Sequence, residues 1–349
     1  MKIAIDVSPL QSGHKIRGVG FYLSYLKEAL LKYYSENDYL FFERKEDIDD
    51  SVELVHYPYF DPFFLTLPFT KKHKTVVTVH DLTPLIFPKH FPAGIKGNFR
   101  WQVQRFNLRK VNGIITDSHA SKKDIERIVG VSSDTVSVVY LAAGEEFREV
   151  RSEKFDVRSL MEKYKLPERF VLYVGDVTWN KNLPRLLQAI KELNLPLVMV
   201  GKSLVSKNYD TANVWNTDLV AVQKMAKENH NVHLLGFVPT EDLVGLYNLA
   251  TVFVFPSIYE GFGLPIVEAM QSGCPTIISK EGCMPEVGGD AAYYFDGYNT
   301  DSLVKSIHAV FHSEKLQKEL TKKGLAQAKK FSWEMTAEKT IAAYKKILR

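Results

Sequence analysis

The sequence lacks the marks of several functional classes. Its two cysteines, Cys274 and Cys283, are too few for a disulfide framework, belong to no metal-ligating set, and suit a reducing compartment. No apolar run reaches the length a bilayer requires, and the opening "MKIAIDVSPL" is too short an apolar stretch for a signal peptide or a membrane span, so a cytoplasmic protein is expected. The net charge of +4 gives no argument for a nucleic-acid partner, and no single-strand module or helix-turn-helix is recognisable. No cluster of His, Cys, Asp and Glu has metal-ligand spacing, so no metal is expected. The dinucleotide fingerprint is also incomplete. "GHKIRGVGFYLSYL" supplies Gly18 and Gly20, but Leu23 stands where the third glycine belongs, and the loop begins well beyond the first apolar strand. That weakens an NAD-dependent reading.

What is present is an ordinary globular composition, 45% hydrophobic and 25% charged, on a chain of 349 residues, which is too long for one comfortable core. "KIAIDV", "ELVHYP", "TVVTVHD", "NGIITDS" and "TVSVVYL" are short, β-branched runs, several of them separated by helical-looking segments. After "EKYKLPER" a second series runs "FVLYVGD", "LPLVMVG", "NVHLLGF", "TVFVFPS", "PTIISK" and "AAYYFD". Two consecutive series of this kind predict two doubly wound, parallel α/β domains over 1–160 and 161–330, with a terminal helix over 331–349. Ligands of such sheets sit at the carboxyl ends of strands, and between two such domains the cleft is the expected site. His56 and His233 alternate with apolar neighbours and read as strand residues.

Helix signals fit this division. Ser121 and Asp124 in "ASKKDIERIV" have capping-box spacing, and Ser332 precedes an apolar stripe of Trp333, Ala337, Ile341, Tyr344 and Leu348.

The stretch that carries chemistry is "YEGFGLPIVEAM". It follows the strand "TVFVFPS", bends through Gly261 and Gly263, and opens a helix with Pro265 in its first turn. Free N–H groups and the helix dipole there attract anionic oxygens, so the loop could hold a diphosphate while Glu260 and Glu268 accept hydrogen bonds from sugar hydroxyls. Glu268 is placed in the first helical turn. Taken alone, the two glutamates are better explained as a solvated loop residue and a partner for the helix dipole.

The intervening residues settle the comparison. "FPSIYEGFGLPIVEAMQSGCPTIIS" resembles the signature of the retaining glycosyltransferases of family four, with its pair of glutamates eight positions apart. "RGVGFYLSYLKEAL", "VVTVHDLTPLIFP", "YVGDVTWNKNLPRLLQAI", "HLLGFVPTEDLVGLYNLA", "MPEVGGDAAYYFD" and "FSWEMTAEKTIAAYKKIL" extend the resemblance through nearly the whole chain in the family's order and spacing. The resemblance implies a GT-B fold of two Rossmann-like domains. The first would bind acceptor, the second the nucleotide sugar, and the last helix would return to the first domain.

The resemblance also implies roles. Glu260 would contact the donor sugar near the reacting face, and Glu268 the nucleotide ribose. Backbone groups of Gly261, Phe262, Gly263 and Leu264 would meet the diphosphate, and Phe237, in "HLLGFVP", would join the donor-binding set. Lys181 in "WNKN" matches a lysine that neutralises departing phosphate charge. His80, after "TVVTV", would meet the donor sugar, through a hydroxyl or its backbone carbonyl, without acting as general base. Retention by front-face displacement would leave the departing phosphate to help take the acceptor proton. No cofactor or metal is implied beyond the nucleotide diphosphate sugar as co-substrate.

The sequence departs from the family at two places. An arginine often stands immediately before the lysine or just after the strand glycine, whereas this chain has Asn180 and Asp176. Lys202, Lys181 alone or a side chain of the first domain would substitute, or nucleotide affinity is weakened. Gly18 and Gly20 would let a loop approach phosphate or acceptor or serve only as a turn, and Lys15 and Arg17 beside them favour an anionic neighbour.

Residues 71–110 carry nine Lys and Arg against Asp81 alone, interleaved with Phe87, Phe91, Phe99, Trp101 and Phe106. That pattern suits either peripheral contact with the inner face of a membrane presenting a lipid-linked acceptor, or inward-packed rings beneath a solvated basic face. The function implied is hexosyl transfer to a glycan or lipid-linked acceptor. GDP-mannose is the first donor and a UDP-sugar the second, after a resemblance to polysaccharide mannosyltransferases. A non-catalytic nucleotide-sugar-binding protein is the competing class. A phosphorylase of the same fold would need a pyridoxal lysine, for which no signature is visible.

Overall fold

The computed structural model describes residues 1–11, 18–44, 47–150 and 156–349. Lys15 and Arg17 lie outside the described residues. The chain forms two compact units, Met1–Ala142 with Phe331–Arg349, and Ala143–Lys330.

The sheet of the first unit contains β1 (Lys2–Asp6), β2 (Asp38–Phe42), β3 (Leu54–Tyr57), β4 (Lys74–Thr78), β5 (Gly113–Thr116) and β6 (Val136–Val138). All neighbours are parallel, in the order β2-β1-β3-β4-β5-β6. β3 and β5 are buried along their whole length, as strands covered on both faces must be. The helices Gly18–Tyr33 and Trp333–Leu348 pack together, with Tyr25 stacked on Trp333 at 5.1 Å between ring centroids. Ser332 caps the second of these, its side chain accepting from the Met335 N–H at 3.1 Å.

A buried polar chain crosses this unit. Tyr344 Oη and His56 Nδ1 lie 2.7 Å apart, His56 Nε2 and Thr78 Oγ1 2.8 Å, and Thr78 Oγ1 and Tyr22 Oη 3.0 Å. Burial holds the His56 pKa down to about 3. His56 is therefore a neutral strand residue whose two ring nitrogens both have partners, which ties the last helix to the sheet.

The helix at "ASKKDIERIV" begins earlier than its capping-box spacing indicates. It spans His119–Val129, and Ser118 rather than Ser121 is its cap, accepting from the Ser121 N–H at 3.0 Å. Ser118 directly follows Asp117 at the end of β5, so the strand leads into the helix without an intervening loop.

The sheet of the second unit contains β7 (Val171–Val174), β8 (Leu197–Val200), β9 (Val232–Gly236), β10 (Val252–Phe255), β11 (Thr276–Ser279) and β12 (Tyr293–Phe295). Its order is β12-β11-β10-β7-β8-β9, again parallel. The chain leaves β7 in one direction through β8 and β9, then returns to the other side of β7 with β10. Strand order therefore reverses between β7 and β10, the crevice where open α/β sheets bind ligands.

The boundary between the units falls at Ala142/Ala143 rather than near residue 160. The reason is local bonding. Gln271 Nε2 donates to the carbonyls of Gly144 and Phe147 at 2.9 and 2.7 Å, and Asn248 bonds the Val150 N–H and the Arg148 carbonyl. Phe147 also packs edge-on against Tyr247.

Candidate active site

The loops leaving β7 and β10 meet at the point of strand reversal. β10 is completely buried, and its exit, Pro256 to Glu260, is fastened by the loop after β7. Asn180 Nδ2 donates to the Tyr259 carbonyl at 2.8 Å, while the Asn180 carbonyl accepts from the Ile258 N–H at 2.7 Å. Asn182 Nδ2 donates to the carbonyls of Pro256 and Gly297 at 3.1 and 2.9 Å. Between these two asparagines Lys181 projects into the crevice, and its Nζ donates to Glu260 Oε1 at 2.7 Å. The two side chains are only 17% and 13% exposed, so the pair is drawn out of bulk water, and the ammonium also lies 5.4 Å from the Phe255 ring centroid.

Asn180, at the position of the missing arginine, is thus a buried positioning residue for the Glu260 loop. Asp176 is also occupied. Its Oδ1 accepts from the Val177 N–H at 3.0 Å and pairs with the Ser203 hydroxyl. Lys202, on the adjoining 3-10 turn after β8, is exposed. Phe237, at the carboxyl end of β9, is 60% exposed. Asp176, Lys181, Lys202, Phe237 and Glu260 therefore follow β7, β8, β9 and β10 along one edge of the sheet.

Beyond Glu260 the backbone turns through Gly263, whose φ of 95° is in the left-handed region that favours glycine. A Cβ there would also approach Ile266 Cδ1 to 3.0 Å. Gly261 and Phe262 are buried, and the Phe262 carbonyl accepts from Cys283 Sγ at 3.2 Å. The helix Leu264–Gln271 follows with Pro265 at its start and no side-chain cap. Its first turn contains no acidic residue, so Glu268 lies in the second turn and not the first. That position removes the dipole explanation of Glu268, which requires the opening turn.

Glu268 is held instead by a residue that no local pattern singles out. The hydroxyl of Tyr247, a fully buried side chain, donates to Glu268 Oε2 at 3.0 Å. Burial raises the Glu268 pKa to about 7, the Tyr247 hydrogen bond opposes that rise, and Glu146 adds to it. A carboxyl whose pKa is raised on folding stabilises the fold most below its ordinary value and loses that contribution as pH rises through about 7. Glu268→Gln is therefore expected to raise stability above pH 7 by on the order of 1 kcal/mol for this partly exposed residue, seen as a higher thermal transition, and to differ little near pH 5. A difference independent of pH would remove the raised carboxyl of Glu268 as its source.

In the first unit, Thr78 of β4 pairs with Ile115 of β5, and the same register carries His80 opposite Asp117. His80 Nδ1 lies 2.7 Å from Asp117 Oδ2, with the two side chains 18% and 3% exposed. Burial works against a charged imidazole, but the charge and hydrogen bond of Asp117 outweigh it and raise the His80 pKa. Burial also pushes the Asp117 carboxyl up against the opposing charge of His80. The two directions describe one proton held between ring and carboxyl. Tyr22 meets the His80 ring edge-on at 4.8 Å. The signal for Asp117 was its place at the end of the strand neighbouring that of His80. Gly18 opens the helix Gly18–Tyr33 and is exposed, with open space at the position of a Cβ, while Gly20 is buried.

Structure thus brings Lys181 to Glu260, Tyr247 to Glu268 and Asp117 to His80. Among the described residues no group of three or more His, Cys, Asp or Glu is arranged to hold a metal ion, and no helix is long and apolar enough to cross a membrane.

Two parallel six-stranded sheets with covering helices define a two-domain α/β protein of the GT-B type. Sucrose-phosphate synthase from Thermosynechococcus elongatus shares this fold with a TM-score of 0.78 at 18% identity, covering 99% of this chain and 98% of that one. The chain belongs to the glycosyltransferases of group 1 and family 4: the profile of glycosyl transferases group 1 matches residues 157–327, and that of Glycosyltransferase Family 4 matches residues 13–143. O-antigen chain mannosyltransferase B of Escherichia coli is 32% identical over 298 residues, 83% of this chain and 74% of the relative. Serotype-specific mannosyltransferase WbdA of Escherichia coli is 29% identical over 288 residues, which is 79% of this chain but only 34% of that longer protein. The protein is accordingly a glycosyltransferase.

Proposed function

We propose that this enzyme transfers mannose from GDP-mannose, with retention of configuration, to the hydroxyl of a saccharide or lipid-linked saccharide at the cytoplasmic side of a membrane. The observation that carries the reading is the Lys181–Glu260 pair at the strand reversal, followed directly by an uncapped helix start. Backbone N–H groups around Gly263 and Leu264 would receive the diphosphate, whose charge the helix dipole favours. Glu268, with Oε2 engaged by Tyr247, would offer its other oxygen to the ribose. The exposed ring of Phe237 offers a face for the base. Mannose is favoured because both curated relatives described above are mannosyltransferases.

In this reading Lys181 stabilises the departing diphosphate and Glu260 positions the sugar. The leaving phosphate takes the acceptor proton, so no side-chain nucleophile is needed. A lysine and a helix terminus replace the divalent cation used by other transferases.

A thermal-shift and hydrolysis screen in EDTA against GDP-mannose, UDP-glucose, UDP-GlcNAc, UDP-galactose, GDP and UDP tests the donor. GDP and GDP-mannose are expected to stabilise the protein, and slow mannose release is expected to require Glu260. Stabilisation by UDP compounds alone would transfer the reading to a UDP-sugar. Stabilisation without turnover on any acceptor would favour a nucleotide-sugar-binding protein.

A further inference from the structure

The helix Gly94–Leu108 is amphipathic in the reverse sense. Its inward face consists of Gly97, Trp101, Gln104, Asn107 and Leu108, two of them amides, whereas Ile95, Phe99 and Phe106 point outward and are 91%, 71% and 58% exposed. At 100° per residue these three positions fall within a 40° sector, so they form one ridge. The adjacent loop adds Phe64, Leu65 and Phe69, all more than half exposed. Loop and helix are one surface. Gln104 Nε2 donates to the carbonyls of Asp61 and Phe64 at 3.1 and 2.6 Å, Arg100 lies over the Phe64 ring, and Lys71 Nζ donates to the Asn107 carbonyl at 3.0 Å. Six large apolar side chains held outward on a fixed scaffold exceed the scattered exposure normal for a protein surface.

The charged side chains of this helix are of one sign. The helix carries Lys96, Arg100 and Arg105 and no acidic residue, and Lys110 sits 3.8 Å from the Phe106 ring centroid. We infer that this face of the first unit binds an anionic lipid bilayer, with the apolar ridge inserted at the headgroup boundary and the bases in contact with lipid phosphates. A second copy meeting the same face would bring like charges together. A single-stranded nucleic acid would find rings to stack on, but Ile95 and Leu65 would offer it nothing. A bilayer uses both halves of the pattern, since apolar burial and electrostatic attraction add in interfacial binding.

The inference does not rest on the identity of the donor. The test is co-sedimentation with sucrose-loaded vesicles of phosphatidylcholine alone or with 30% phosphatidylglycerol, with donor hydrolysis without lipid measured on the same preparations. Wild type is expected to bind the anionic vesicles, to bind neutral ones at least ten-fold more weakly, and to release as salt rises. Ile95→Ser/Phe99→Ser/Phe106→Ser is expected to lower the binding at least ten-fold, and Lys96→Gln/Lys110→Gln to lower it several-fold. Both variants are expected to keep the wild-type thermal transition and lipid-free hydrolysis. Failure of wild type to bind anionic vesicles, or equal binding by the folded triple variant, would overturn the inference. So would loss in that variant of a wild-type dimer, or of oligonucleotide binding, in place of vesicle binding. Hydrolysis without vesicle binding counts against this surface alone, and vesicle binding without hydrolysis against the donor reading alone.

Discussion

Glu260→Ala is expected to lower kcat for transfer by on the order of 10³-fold while nucleotide affinity changes by less than about three-fold. The expectation follows from where the carboxylate is held. Glu260 ends a loop fixed by Asn180 at the Tyr259 carbonyl and the Ile258 N–H, and it is bonded to Lys181 at 2.7 Å. None of these contacts belongs to Glu268 or the helix start, which the proposed mechanism assigns to nucleotide binding. Removing the carboxylate therefore separates sugar positioning from nucleotide binding, and the loss appears in kcat. The variant also leaves an ammonium beside Phe255 without its counter-charge. Because the pair retains some solvent contact, the cost to stability should be about 1–2 kcal/mol rather than that of a fully buried pair. Glu260→Gln keeps the shape and a hydrogen-bond acceptor, so it should recover most of that stability and little of the turnover. Calorimetric titration with nucleotide and steady-state transfer kinetics make the separation visible. Wild-type turnover in Glu260→Ala would remove the residue from the mechanism, and an equal loss of nucleotide affinity would move it to the nucleotide site.

The second unit was legible from its apolar runs because its strands are buried on both faces and rich in Val and Ile, as "LVMV", "VFVF" and "TIIS" show. β2 was not legible. "DYLFF" lies at a sheet edge, is only partly buried, and lacks an apolar/polar alternation, so periodicity does not mark it although its three aromatic residues favour a strand. The unit boundary was hidden for a different reason. The bonds that draw residues 143–150 into the second unit come from Asn248 and Gln271, about a hundred residues downstream, and no local pattern encodes them.

The residues of the candidate site show the same division. Glycines, proline and spaced glutamates write the loop after β10 into local sequence, because the turn and helix start depend on backbone geometry. Tyr247 and Asp117 act across the fold on residues distant in sequence, and each looks like an unremarkable helix or strand-end residue in isolation. Asn180 was visible only as a missing arginine. Its side chain fastens a neighbouring loop, so in the proposed mechanism the cationic requirement falls on other side chains.

That requirement makes Lys181 the second residue with a large expected effect. Lys181→Ala is expected to lower kcat by roughly 10- to 1,000-fold, with a smaller change in donor affinity, because charge on the leaving diphosphate is greater in the transition state than in bound donor. The neighbouring cations are poorly placed to replace it. Arg185 is bonded to Asn182 Oδ1 at 2.8 Å and to the Gly297 carbonyl, while Lys202 stands on the turn after β8. Lys181→Arg keeps the charge, but a planar guanidinium does not reproduce the compact ammonium at a site enclosed by Phe255 and Glu260, so it should restore turnover only partly. The dependence on leaving group provides the decisive measurement. If Lys181 carries the developing charge, the penalty of Lys181→Ala should shrink for a donor analogue with a more acidic leaving group, whereas a purely structural defect would penalise both donors equally. Unchanged turnover on the natural donor would assign phosphate stabilisation to another cation, and Lys202→Ala would then be expected to show the loss instead.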